Sequence, residues 1–295
     1  MSKKILFVLL FLASVLALGS PVQKPPLVII VSGGMATCAD ETAEKMEAYL
    51  QPFAIRAQKA NYPVKFIVTC FSKLREDMQY YSVDYHGVSS AVQRVPGGKH
   101  FDENFQAQFI KKYLDKEIPK NAKVILAGQS HGGWVALSIA ATRPVDFVAT
   151  LDPISRLECN AKSVIGLRAL KRLKTICLHP ASEALLDQVG KKIEESHGTF
   201  FNTYQDASIL HSSALNVPWA KDLNFGSVNS DYESIDGKHE LNAKKHRALA
   251  TDPEVWKRIL AQLDRKLASL DPDWIPNREK VVANSAGPTP LINHR

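Results

Sequence analysis

Short apolar runs alternate with longer amphipathic ones along this chain. "LVIIV" (27–31) is continuously apolar and is followed by Ser32-Gly33-Gly34, then by a helix-like segment from Asp40. "VKFIVTC" (64–70) predicts a second strand, and 102–117 carries Phe105, Phe109, Ile110, Tyr113 and Leu114 at helical spacing. "KVILAG" gives a third strand with "WVALSIAA" as its helix, and "DFVATLD" (146–152) gives a fourth. Unbroken rather than alternating hydrophobicity suits strands covered on both faces, as in a parallel sheet. The strand–helix order therefore predicts an α/β fold.

The rhythm breaks over 153–197, which predicts an excursion over the sheet edge with a helical run around 181–195. "GTFFNTYQ" (198–205) returns as an aromatic strand, and "LNFGSV" (223–228) offers another. The last helix opens at "TDPE", with Thr251 as the predicted cap, Pro253 in the first turn and Glu254 three residues on. Beyond Leu270 the composition turns rich in Pro and Asn, which predicts a frayed tail over 271–295. No internal repeat is visible.

The beginning of the chain reads differently. Lys3 and Lys4 precede a fourteen-residue run from Ile5 to Leu18, and small residues follow at Gly19 and Ser20. This layout predicts a signal peptide over 1–19, cleaved before Ser20. The run is short for crossing about 30 Å of hydrocarbon, so removal and export are expected rather than anchoring. Loss of Lys3 and Lys4 would lower the formal charge from +7 to +5. The basic residues are scattered, and no recognition motif accompanies them, so nucleic acid is not an expected partner. The mature domain is expected to span 20–270, secreted or periplasmic, with no integral membrane segment; the sequence leaves its oligomeric state open.

Four cysteines, Cys38, Cys70, Cys159 and Cys177, remain after export. An even count in an oxidising compartment fits two disulfides, with three pairings possible. Cys38–Cys70 and Cys159–Cys177 are the favoured pairs, because the first two lie by neighbouring strands and the second two bracket one excursion. No close Cys/His spacing supports a metal site.

The chemistry centres on "AGQSHGG", where Ser130 stands between Gly128 and Gly132 at a strand-to-helix junction. In that context Gly-x-Ser-x-Gly predicts a strained elbow that exposes the hydroxyl. A serine needs a base, and the base needs a carboxylate to orient it. Asp152 ends the next strand in "TLDP" and is the first choice of acid; Asp206, after the aromatic strand, is the alternative. His239 in "DGKHE" completes the chain order Ser, Asp, His and is the expected base. His211 and His246 are its nearest rivals, although the lysine-rich run around His246 reads as solvated. The backbone amide of His131 is the expected first oxyanion donor, and that of Gly34 or Met35 the second.

In "VSGGM", "AGQSHGG", "TLDP" and "DGKHE", in that order, the chain resembles the α/β-hydrolase superfamily over about 27–267. The resemblance implies an α/β-hydrolase fold, a mostly parallel sheet flanked by helices, with 153–197 near the usual position of a cap. An acid directly after the strand that follows the elbow is similar to the arrangement in pancreatic-type lipases. Most other members place it one strand later, which keeps Asp206 under consideration. What this implies is a serine hydrolase of small-molecule or lipid esters, needing no cofactor. A thioesterase, or a non-catalytic binding protein on the same scaffold, is the alternative.

Overall fold

The computed structural model describes residues 24–34, 41–72, 77–96, 105–154, 164–165, 176–177, 181–207, 211–226, 244–274 and 276. Its frame is an eight-stranded sheet. The strands are β1 (Leu27–Ser32), β2 (Val64–Ser72), β3 (Asp77–Val83), β4 (Gln93–Pro96), β5 (Lys123–Gln129), β6 (Phe147–Leu151), β9 (Thr199–Tyr204) and β10 (Ala220–Asn224). β7 (Val164–Ile165) and β8 (Ile176–Cys177) form a separate antiparallel pair. The sheet order is β10-β9-β6-β5-β1-β2-β3-β4. Six strands from β10 to β2 run parallel, while β3 and β4 close the far edge as an antiparallel hairpin.

Alternate residues of each central strand feed opposite faces, as the two-residue repeat requires. Val28, Ile30, Val124, Leu126, Val148 and Phe200 face one core. Leu27, Ile29, Val31, Ile125, Ala127, Phe147, Ala149 and Phe201 face the other. Helix α1 (Thr42–Lys59) covers the second face with Met46, Leu50 and Phe53. Phe105–Leu114, wound with i→i+5 bonds and running on into Asp115–Glu117, forms α2 on the first face. It is joined there by α3 (His131–Ala140) and α4 (Glu183–Glu195). The short α5 (Lys244–Ala248) leads through a 3₁₀ turn at Leu249–Thr251 into α6 (Pro253–Leu270), which packs beside α1.

Helix α3 is buried all round, from His131 to Ala140. A helix without a polar face belongs in the middle of a domain, and α3 runs directly from the end of the central strand β5. Its neighbour α4 buries Leu185, Leu186, Val189 and Ile193. The latter half of the predicted excursion is therefore the crossover helix between β6 and β9, packed on the sheet.

Three further expectations need correction. The hairpin β3–β4 has no counterpart in the pattern as read, because its strands bury only alternate residues, Met78, Tyr80 and Ser82. Among the described residues, the strand expected over 223–228 is Ala220–Asn224, and residues 227–228 lie outside them. Residues 271–274 do not fray: Asp271 accepts from the Tyr62 hydroxyl (2.8 Å) and pairs with Lys24 (2.5 Å), while Trp274 packs on Phe53.

The cap of α6 is Asp252, not Thr251. Oδ1 of Asp252 accepts from the amides of Glu254 (2.8 Å) and Val255 (3.2 Å), and Pro253 occupies the first turn. Thr251 belongs to the preceding 3₁₀ turn and hydrogen-bonds backward to the Ala248 carbonyl. Asp252→Ala should therefore lower stability by about 1 kcal/mol, and Thr251→Ala by no more than a few tenths. Urea melts of the two variants measure the difference.

Candidate functional site

Three parallel strands end side by side. Gln129, Leu151 and Thr203 are in register across β5, β6 and β9, so the next residues, Ser130, Asp152 and Tyr204 (the last of β9), lie side by side at one end of the sheet. Two of those three have backbones that L-residues rarely adopt: Ser130 has φ 58°, ψ −126°, and Asp152 has φ 49°. Such conformations cost on the order of 1–3 kcal/mol each and persist only where the surroundings over-determine them.

Backbone hydrogen bonds supply that constraint. The Ser130 amide donates to the Leu151 carbonyl (2.9 Å), and the Ser130 carbonyl accepts from Gly133 (2.9 Å) and Ile154 (3.0 Å). The Asp152 amide donates to the Thr203 carbonyl (2.6 Å). The elbow and the acid turn are thus tied to each other and to β9.

Close approach explains the glycines. A Cβ at Gly128 would stand 2.1 Å from the Gly132 carbonyl oxygen, and one at Gly132 would stand 2.1 Å from the Ser32 carbonyl oxygen. The strand, the helix start and the loop after β1 therefore converge on positions with no room for a side chain. That loop is fixed at its root, where the Gly33 amide donates to Thr69 O (2.9 Å) and the Ser32 and Thr69 hydroxyls meet at 2.7 Å. A Cβ at Gly34 would lie 3.3 Å from Ser130 Cβ, so the loop passes directly beside the serine. Met35 lies outside the described residues.

Asp152 has no exposure to water. Its Oδ1 accepts from the Ser212 amide (2.6 Å), and its Oδ2 accepts from Gln205 Nε2 (2.7 Å). The same Oδ2 lies 2.7 Å from Nδ1 of His246, which is itself buried. The other ring nitrogen, Nε2, lies 3.3 Å from the side-chain nitrogen of Gln129, the residue before Ser130. That amide nitrogen also donates to the His246 carbonyl (3.1 Å).

The histidine that the fold places on Asp152 is thus His246. His239 lies outside the described residues. The reading of His246 as solvated is corrected: its neighbour Arg247 is exposed, but the imidazole turns inward. His131 is buried and stacks on Trp134 at 5.1 Å. Asp206 is exposed and accepts from Asn224 Nδ2 (3.2 Å). The alternation beyond β9 explains its position, since Thr203 and Gln205 point to one side and Tyr204 and Asp206 to the other. The residue that reaches Asp152 from β9 is therefore Gln205.

A second tier holds the donors in place. Asn202, in the interior of β9, accepts from the Thr150 hydroxyl (2.8 Å) and donates to Asp222 (2.7 Å) and to the Ser213 carbonyl (3.2 Å). Asp222 in turn accepts from the amides of Leu215 and Asn216, both at 2.9 Å. The loop 211–217 is stapled to β9 and β10 in this way, which aims the Ser212 amide at Asp152. Gln129, Gln205 and Ser212 were not singled out in the sequence. Only their strand-end positions carry a signal, and it becomes readable once the register is known.

This architecture agrees with the comparisons. The family model described as "Putative esterase" matches residues 14–262. The chain belongs to this esterase family. It has the family's α/β-hydrolase fold. A stretch of 121 residues, 40% of the chain, is 27% identical to the curated "Atrochrysone carboxylic acid synthase PKS4" of Calonarius odorifer. The chain spans about 7% of the length of that relative. Among the described residues no helix is long and apolar enough to cross a membrane, and no cluster of His, Cys, Asp or Glu could hold a metal ion.

Gly132→Ala brings its new methyl against backbone oxygens, which no rotamer change relieves. It should cost more than 2 kcal/mol, as overpacking against rigid backbone does, whereas Gly87→Ala meets nothing within 4 Å. Gly87 has φ 80°, so its loss stays near the 1 kcal/mol expected of such a backbone. Thermal melts of the two proteins compare these costs.

Proposed function

We propose that the protein is an esterase-type hydrolase of a small-molecule ester, that it is exported, and that it works by a Ser130–His246–Asp152 triad through an acyl-enzyme. The observation that carries the reading is the buried contact between Asp152 Oδ2 and His246 Nδ1 (2.7 Å), at the sheet edge where Ser130 holds φ 58°. With the Nδ1 proton donated to Asp152, the lone pair of His246 sits on Nε2, the nitrogen a general base needs. That nitrogen takes the Ser130 hydroxyl proton as Oγ attacks the ester carbonyl carbon. The negative charge on the carbonyl oxygen falls to the first amide of α3, that of His131, and to an amide of the loop at Gly34 or Met35.

Collapse of the tetrahedral intermediate breaks the carbonyl–oxygen bond, and His246 returns its proton to the departing alcohol. Water then repeats the cycle, with His246 as base, and releases the carboxylic acid from Ser130. No proton passes to Asp152, whose part is to hold the ring in one tautomer and stabilise it when charged.

Export is supported by the leader-like pattern over residues 1–19 and by the cysteines. Cys70, in β2, is not a free cysteine, which supports disulfide formation in an oxidising compartment. The pairing proposed for it is with Cys38, and that of Cys159 with Cys177.

Ser130→Ala should abolish labelling by a fluorophosphonate probe and cut turnover of nitrophenyl esters to the roughly 10³-fold enhancement that binding and oxyanion donors alone supply. His246→Ala should fall to a similar level, while His239→Ala should keep most of its activity. Asp152→Asn should lose on the order of 10⁴ in kcat. Asp206→Asn should lose little, because an exposed acid forfeits local hydrogen bonds worth about 1 kcal/mol each. Full activity in a folded His246→Ala protein, with a collapse in His239→Ala, would move the base to His239.

The mature protein should begin near Ser20 and contain no titratable thiols. N-terminal sequencing and non-reducing peptide mapping of secreted material test both; an intact leader or free thiols would contradict export.

A further inference from the structure

Gln129 occupies the variable position of Gly-x-Ser-x-Gly, yet its side chain is buried and its amide nitrogen is engaged. Its amide nitrogen reaches two atoms of one residue, the carbonyl oxygen of His246 at 3.1 Å and ring Nε2 at 3.3 Å. An NH₂ group has two protons, enough to serve both acceptors. Its oxygen lies toward the loop after β1, where a Cβ at Gly34 would come within 2.7 Å of Oε1. One side chain therefore touches the backbone of the base and the lone pair of the base, and abuts the loop that runs beside Ser130.

We propose that Gln129 is a positioning residue of the triad, which locks His246 into its reactive tautomer and placement. This inference rests on His246 being the base. Asp152 secures the imidazole only at Nδ1, about which the ring can still swing. Gln129 provides the second point of attachment from the opposite side, and its bond to the carbonyl fixes the backbone of the five-residue helix α5. Such a short helix has little cooperative stability of its own, so it needs an external tie to keep the base within reach of the elbow. The donor on Nε2 also excludes the tautomer protonated there, the one that cannot accept a proton from serine. On substrate binding, the serine hydroxyl replaces the amide at Nε2 while the bond to the carbonyl persists.

The charged groups around the ring bear on its pH response. Asp152 faces it from the end of β6. On α5, Arg247 is exposed and Lys245 is half-buried. A carboxylate in place of the Gln129 amide would put a negative charge beside Nε2 and attract positive charge onto the ring. Gln129→Glu swaps donor for acceptor at nearly constant shape, and Gln129→Met removes the polar group at similar volume.

The test uses the exported protein, its Ser130→Ala variant and the two Gln129 variants. The readouts are kcat and KM for p-nitrophenyl acetate, the pH dependence of kcat/KM, thermal midpoint and fluorophosphonate labelling. Gln129→Met should lower kcat about 10- to 100-fold, as slight misplacement of a catalytic group does, with KM within about twofold. In Gln129→Glu the acid limb of kcat/KM should move up by about one pH unit or more. Labelled wild-type protein with kcat unchanged in Gln129→Met, or with the acid limb unmoved in Gln129→Glu, whatever their thermal midpoints, would overturn the inference alone. Wild-type protein that resists the probe and leaves the ester intact would overturn the hydrolase mechanism beneath it.

Discussion

A carboxyl group sealed from water has to find its hydrogen bonds inside the protein, or the fold bears several kcal/mol for each one missing. Asp152 meets this constraint with three N–H groups drawn from three separate parts of the chain: Gln205 after β9, Ser212 in the following loop and His246 in α5. Its backbone, at φ 49°, is held by the adjoining strand end. Removing any one donor would leave a buried acceptor short of a partner. The position of Asp152 thus dictates where the loop 211–217 runs and which way α5 turns.

The same logic extends to the serine. Ser130 and Asp152 occupy unfavourable conformations on neighbouring strands; main-chain bonds tie Ser130 to Leu151 and Ile154, and Asp152 to Thr203 of β9. Strain of this kind is affordable in a rigid frame, and six parallel strands covered on both faces provide one. Energy held in the backbone keeps the hydroxyl and the carboxylate at fixed separation before any substrate arrives. Under the proposed hydrolase mechanism that is preorganisation, the chief means by which such an enzyme lowers its barrier.

How much of this was legible in the sequence depended on the range of the interactions. The elbow and the acid are local features: an apolar run, flanking glycines, then an Asp-Pro at the next strand end. β1, β5 and β6 announce themselves as nearly continuous apolar runs, which is what burial on both faces selects, and β2 and β9 as runs rich in β-branched and aromatic residues. β3 was invisible because an edge hairpin buries alternate residues only, and "DMQYYSV" mixes Tyr with Ser and Gln. Around His246 the chain reads K-K-H-R-A-L-A. The basic neighbours suggested a solvated face, yet a five-residue helix can bury one side chain and expose those beside it. Its partner Asp152 lies 94 residues away, and no local pattern encodes that pairing. Gln205 escaped notice for a related reason, since its neighbour Asp206 has the more conspicuous chemistry while strand alternation gives Gln205 the inward direction.

The pairing of Asp152 with His246 is the claim on which the site depends, and proton NMR of protein carrying ¹⁵N-histidine observes it directly. A strong Nδ1–H···O bond in a buried pair should give a far-downfield proton coupled to Nδ1 of His246, absent in Asp152→Asn and retained in Asp206→Asn. A downfield proton assigned instead to His239, or one on His246 that survives in Asp152→Asn, would contradict the account.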